Sequence, residues 1–131
     1  VAEWVNQYRI NTVAPMALTR AFLPLLKESA DASVIFVGES HSEDPKAYWG
    51  GFGASKAALN YLCKVAADEW ERFENLRANV LVPGPVNSPQ RMKTHPGEAR
   101  SERKDYEEIM PDFVWWASVE SRGRSGEIVY L

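Results

Sequence analysis

Cysteine is almost absent. Cys63 is the only one in 131 residues, so no internal disulfide framework can form, and such usage fits a reducing, cytoplasmic compartment. Long apolar runs are missing too: no stretch approaches the ~18 residues that a membrane-spanning helix needs. Excess charge is also missing. Fifteen Lys and Arg against eighteen Asp and Glu leave a net charge of −3, too small and of the wrong sign for a nucleic-acid partner. Histidine occurs only at His41 and His95, and neither has a second ligand at metal spacing. No Gly-x-Gly-x-x-Gly or Walker-type sequence occurs. Gly50, Gly51 and Gly53 lack that spacing, and they do not lie directly between strand and helix, where backbone amides approach a phosphate. The first residue is Val1, and Ala2–Leu26 reads at once as helix, with no basic n-region or cleavage site of a signal peptide. We expect a piece of a longer chain.

What is present is ordinary globular material. Hydrophobic residues make up 45% and charged residues 25% of the chain, with five each of Trp, Tyr and Phe. That is enough for the core of one domain.

Trp4, Val5, Tyr8, Ala14, Leu18, Phe22, Leu25 and Leu26 recur at helical spacing, which predicts a helix over Ala2–Ser29, kinked or split at Pro15 and Pro24. Ser33–Gly38 is a short β-branched run of the kind found in fully buried parallel strands. Glu39–Gly51 reads as a polar loop. A helix is expected over about Phe52–Phe73, with one apolar face of Leu59, Leu62, Cys63, Ala66, Trp70 and Phe73. Its second face carries Ala54, Ala57, Ala58, Tyr61 and Val65, so burial on two sides is predicted. Arg77–Val82 reads as a second strand, ended by Pro83-Gly84-Pro85. Val86–Lys104 is a charged connection, mixed in sign and read as solvated. Asp105 and Glu108 have capping-box spacing for a helix to about Val119, and Glu127–Leu131 is the last strand. Alternating helices and strands predict an α/β fold, about three parallel strands alternating with helices.

The segment Trp49-Gly50-Gly51-Phe52-Gly53-Ala54-Ser55-Lys56 carries the strongest signal, together with Asn11, Thr19, Leu76-Arg77-Ala78-Asn79-Val80, Pro83-Gly84-Pro85-Val86-Asn87-Ser88 and Ile109-Met110-Pro111. In this order the pieces resemble the C-terminal half of a short-chain dehydrogenase/reductase, over essentially the whole chain. The resemblance implies the second half of a Rossmann-like doubly wound sheet, without the Gly-rich dinucleotide-binding half, and a parent protein that uses NAD or NADP. It also implies roles. Asn11 falls at the family's proton-path asparagine and Lys56 at the lysine that binds the nicotinamide ribose. Pro83, Gly84, Val86 and Ser88 fall at the turn that receives the nicotinamide, with Ser88 in place of the usual threonine.

Two positions depart from the family pattern. Phe52 stands where the family keeps its catalytic tyrosine, and Glu39 stands at the serine position, with Ser40 next to it. Phe52 has no proton to give, and an ionised Glu39 repels a carbonyl oxygen that gains negative charge. Ser40 substitutes only if the loop shifts by one residue. His41 and Tyr48 read as surface loop residues. Three functions stay open: an oxidoreductase impaired at its active site, a cofactor-binding subunit that does not reduce, and an interaction module. The resemblance implies a small carbonyl or alcohol substrate if the site is active, no bound cofactor for the fragment alone, and a homodimer or higher assembly through helices 2–29 and 52–73. Half a sheet also leaves the first strand as an open edge.

Overall fold

The computed structural model describes the whole chain, Val1–Leu131. Its three strands are β1 (Ala32–Val37), β2 (Leu76–Val82) and β3 (Ile128–Tyr130). They run parallel in the order β1–β2–β3. Ala32 pairs with Leu76 through to Val37 with Leu81, and Val80 with Ile128 through to Val82 with Tyr130. Parallel neighbours require crossovers. The helix α3 (Gly50–Glu69) supplies the first, and a segment carrying α4 (Pro89–Thr94) and α5 (Tyr106–Ala117) supplies the second. The predicted α/β alternation is the observed one.

The centre of the sheet is buried throughout, and the strand period of two sorts its side chains. Leu76, Ala78, Val80 and Val82 join Leu59, Cys63, Ala66 and Trp70 of the α3 side in one apolar core. Burial pushes the Cys63 thiol up to about 12, so it serves as a small apolar side chain. Arg77 and Asn79 point to the other layer. Asn79 is fully buried with both amide atoms bonded: its Nδ2 donates to Arg124 O at 2.8 Å, and its Oδ1 accepts from Glu127 N–H at 3.0 Å. The Arg77 guanidinium grips Asp31 through two bonds of 2.7 and 3.0 Å, and also reaches Ser121 Oγ and Ser118 O.

Several expectations are corrected. β1 is not fully buried: only Ala32 and Phe36 are, and Val37 is 48% exposed. β1 is the open edge strand expected of half a sheet, and one side of its backbone has no neighbour. α3 stops at Glu69, with Trp70 as its C-cap, and its second face is only half-buried, with Tyr61 69% exposed. The first helix is divided into α1 (Ala2–Tyr8) and α2 (Ala14–Glu28) by a π-helical turn over Arg9–Val13. Ala14 N–H bonds back to Arg9 O, and Pro15 has no N–H to continue the ordinary ladder. Pro24 stays inside α2.

The connection 86–104 is pinned rather than merely solvated. Glu98 takes Arg91 at 2.6 Å and Arg103 at 3.0 Å, and the Arg103 side chain is only 7% exposed. Arg91, then Arg103, holds the Glu98 carboxyl down at about 2. At the start of α5, Asp105 N–H donates to Glu108 Oε1 at 2.7 Å. No helix is long and apolar enough to cross a membrane.

Candidate functional site

Parallel strands deliver the loops after their C-terminal ends to one rim of the sheet, where ligands of open α/β sheets bind. That rim carries Glu39 just beyond β1 and Gly84 just beyond β2. The start of α3, the start of α1 and the 86–95 segment close around them to form a cleft of about 610 Å³. Glu39, Phe52, Gly84, Val86 and Ser88 all line it. Gly84 has φ +73°, a left-handed conformation that side chains resist. A Cβ there would meet nothing within 4 Å, so conformation and not space requires glycine. Ser88 Oγ accepts from Arg91 N–H at 3.1 Å and caps α4.

The remaining candidates flank the cleft. Lys56 lies one turn beyond Phe52, and its Nζ donates to Val37 O at 2.8 Å. Burial lowers its pKa, against the opposing pull of Glu39. Two of its three N–H bonds remain free for a further acceptor. Asn11 sits in the π-helical turn, a distortion common at functional sites. Its Nδ2 lies 3.0 Å from both Ser55 Oγ and Gln7 Oε1, and Thr12 Oγ1 donates to Ser55 O at 2.7 Å. These bonds fix the π turn against α3. Asn11 and Lys56 share a shallow recess beside the β1 edge. Ser40 is tied to its neighbour: its hydroxyl and its N–H both donate to Glu39 Oε1, at 2.8 and 3.0 Å. Pro83 ends β2 just before the left-handed Gly84.

The structure adds what spacing could not show. His41 and His95 both line the cleft, against the same indole, Trp49. His41 meets it edge-on at 5.4 Å, and His95 stacks on it at 5.2 Å with 27° between planes. Phe52 is edge-on to Trp49 at 5.5 Å. Tyr48, at the mouth, is fully exposed with φ 70°. The loop 39–51 is held down by Asn60 Nδ2 donating to Ser42 Oγ at 2.9 Å and by close backbone approach at Gly53. A Cβ on Gly53 would stand 2.7 Å from His41 O. Gly53→Ala is therefore expected to displace the loop and to cost about 1–3 kcal/mol in thermal unfolding.

Chemically, the arrangement offers a buried-side cation, a carboxylate and a ring wall around a glycine turn. No hydroxyl stands at the Phe52 position. No group of three or more metal-ligating side chains occurs.

The profile of the family described as short chain dehydrogenase matches residues 1–99. The uncharacterized oxidoreductase YciK of Escherichia coli K12 is 33% identical over 123 residues, which is 94% of this chain and 48% of that protein. A short chain dehydrogenase structure from Pseudomonas syringae superposes with a TM-score of 0.92 at 34% identity, covering 98% of this chain and 52% of its own. One from Shigella flexneri 2a, complexed with NADP, has a TM-score of 0.90 at 33% identity, covering 97% and 52%. The chain thus spans about half the length of the relatives it matches.

Proposed function

The chain belongs to the short-chain dehydrogenase/reductase family, and on that premise we propose that it is the second half of a longer NAD(P)-dependent oxidoreductase domain, impaired in reduction. The Gly-rich dinucleotide-binding half would precede it. Its match to only about half of each relative supports this reading, and the NADP complex of the Shigella flexneri protein supports NADP as the cofactor.

The residues present fit the nicotinamide end of such a cofactor. Gly84 leaves open space at the rim, Val86 and Ser88 line the same cleft, and Lys56 keeps donors for a ribose. Pro83 sets the turn. When bound, the cofactor supplies the hydride. Asn11 and Lys56 would then organise the proton path beside it.

One observation carries the impairment: Phe52 and Glu39 face the cleft that Gly84 and Val86 also face. The group nearest the reacting oxygen would be a hydrocarbon ring with a carboxylate close by. A positioned acid contributes about 10²–10⁴-fold to rate, and Phe52 forgoes it. The substrate class remains a small carbonyl compound or alcohol.

A second reading, a non-catalytic cofactor-binding or assembly subunit, draws on a different observation. Val5, Ile10, Val13, Leu18, Phe22 and Leu25 on the α1–α2 rod are each more than half exposed. Homodimer or higher assembly through this rod and α3 would cover them.

Titration of NADP⁺ and NADPH into the full-length protein tests the proposal. The expected result is binding with negligible carbonyl reduction, and a roughly 10–100-fold weaker affinity in Lys56→Ala, the usual worth of charge-assisted hydrogen bonds. Rapid turnover with Phe52 in place, abolished by Lys56→Ala, would overturn it.

A further inference from the structure

Phe52 and Glu39 are losses only for a substrate whose reduction ends on an alkoxide. Hydride addition to a carbonyl carbon pushes the π pair onto oxygen, which must then receive a proton. A protonated or N-alkylated imine has no such need. Hydride from the reduced nicotinamide adds to its carbon, the C=N π pair moves onto nitrogen, and a neutral amine forms. No proton is taken from the protein. The nicotinamide, oxidised in the same step, becomes the cation, so the site holds one positive charge before and after.

The charges of the cleft suit such a substrate. Glu3 and Glu39 line it, and of the lysines and arginines only Arg91 does. Arg91 is engaged elsewhere, giving Glu98 two bonds of 2.9 and 2.6 Å. Lys56 opens on the recess beside the β1 edge and bonds Val37 O. Both cations feel the charge of Glu39, yet neither bonds to it. The two Ser40 donors fall on Glu39 Oε1, which leaves Oε2 for a cationic partner.

The walls suit it as well. The rings of Trp4, Trp49 and Phe52 line the same cleft, and Phe52 stands 5.5 Å from Trp49. None of the three is fully buried, and none belongs to the apolar core of the sheet. Aromatic faces attract a cation through the ring quadrupole, and this needs no hydrogen bond from the ligand. A carboxylate among aromatic rings favours a cation over a neutral molecule of the same shape.

We propose that the cleft binds cationic imines and that the full-length protein reduces them to amines, with Glu39 as counter-ion and Phe52 as part of the ring wall. This further activity goes beyond the carbonyl class given above, and it rests on the reading of the chain as half of a nicotinamide-dependent oxidoreductase.

The test uses the full-length protein and two flat five-membered rings. One is 1,2-dimethyl-1-pyrrolinium, a permanent cation, and the other is 2-methylcyclopentanone, a neutral ketone. Ligand-observed NMR without cofactor gives both affinities, and loss of NADPH absorbance gives both rates. The pyrrolinium ion is expected to bind about tenfold more tightly than the ketone. It should be reduced to 1,2-dimethylpyrrolidine, while turnover of the ketone stays negligible. Glu39→Gln keeps the shape and removes the charge, so most of the preference should vanish with no loss of ketone affinity. Phe52→Leu keeps apolar bulk and should weaken the pyrrolinium ion several-fold. Phe52→Tyr with Glu39→Ser should move the two substrates in opposite directions, slowing the iminium and speeding the ketone. Equal affinities, an undiminished preference in Glu39→Gln, or a pyrrolinium ion that the NADPH-loaded protein leaves unreduced refutes the inference. NADP⁺ and NADPH binding are titrated separately. Their absence counts against the proposed function, whereas cofactor binding without a preference for the cation counts only against the iminium class.

Discussion

The full-length protein carrying Phe52→Tyr and Glu39→Ser together is expected to reduce a carbonyl substrate about 10²–10⁴-fold faster than its parent. The Phe52 ring already lines the cleft, so a tyrosine there places its hydroxyl at the same wall. Lys56 follows one helical turn later, an i, i+4 spacing that keeps the two side chains on one face. Its ammonium sits within the field of Glu39 and is free to stabilise a phenolate once that carboxylate is gone. Each single variant should gain far less. Phe52→Tyr alone leaves a carboxylate beside the developing negative charge, and Glu39→Ser alone supplies no acid. The two changes meet at one site and need not add. Measurement of kcat/KM with both nicotinamides, in the four proteins of the cycle, decides the matter. A double variant no faster than the parent would mean that the cleft lacks more than these two groups.

The second large effect concerns stability. Arg77→Met is expected to destabilise the protein by about 3 kcal/mol, the lower end of the cost of breaking a buried ion pair. The lower end applies because Arg122 still reaches Asp31 at 3.0 Å. The Arg77 side chain is 2% exposed and that of Asp31 15%. Removal of the guanidinium also strips donors from Ser118 O and Ser121 Oγ. Asp31 makes the effect depend on pH. Its hydrogen bond from Arg77 is the main reason its pKa lies below the ordinary aspartate value. A lowered folded-state pKa gives stability that is complete above the unfolded value, about pH 4, and is lost as pH falls through the lowered one. Urea midpoints between about pH 2 and 6 should therefore fall with acid in the parent and fall less in Asp31→Asn. An Arg77→Met protein as stable as its parent would show that the bridge contributes nothing net.

The strands and helices were legible because each has a periodicity of its own. Arg77–Val82 reads as a strand, and the strand observed is Leu76–Val82, buried throughout. The acidic cap at Asp105 is visible from Glu108 three residues on. What escaped depends on neighbours. Ser33–Gly38 has the composition of a fully buried strand, yet at the open edge of the sheet Val37 is 48% exposed. Tyr61 looks like core by spacing, but it is 69% exposed. Ion pairing inside 86–104 reads as loose charge until Glu98 is seen between two arginines. At the site, Glu39, Phe52, Gly84, Val86 and Ser88 were found by motif order, and they share a cleft. His41 and His95 lie far apart in sequence, and neither has a second ligand at metal spacing. Only the two crossovers bring them to one indole. A count of two histidines on two polar loops held the one hint of their meeting.

The parallel order of the sheet has a kinetic side. The polar contacts that bury the outer layer of β2 join distant parts of the chain. Arg77 meets Asp31 across 46 residues, and Asn79 meets Glu127 across 48. Neither hairpins nor local turns can bring these groups together in advance, and the closure of long loops must precede the reward of burial. The central strand therefore gains its full shelter only when both crossovers have closed. Such a chain folds late and all at once, slowly for its size, with Arg77 and Asn79 among the last polar groups to leave water.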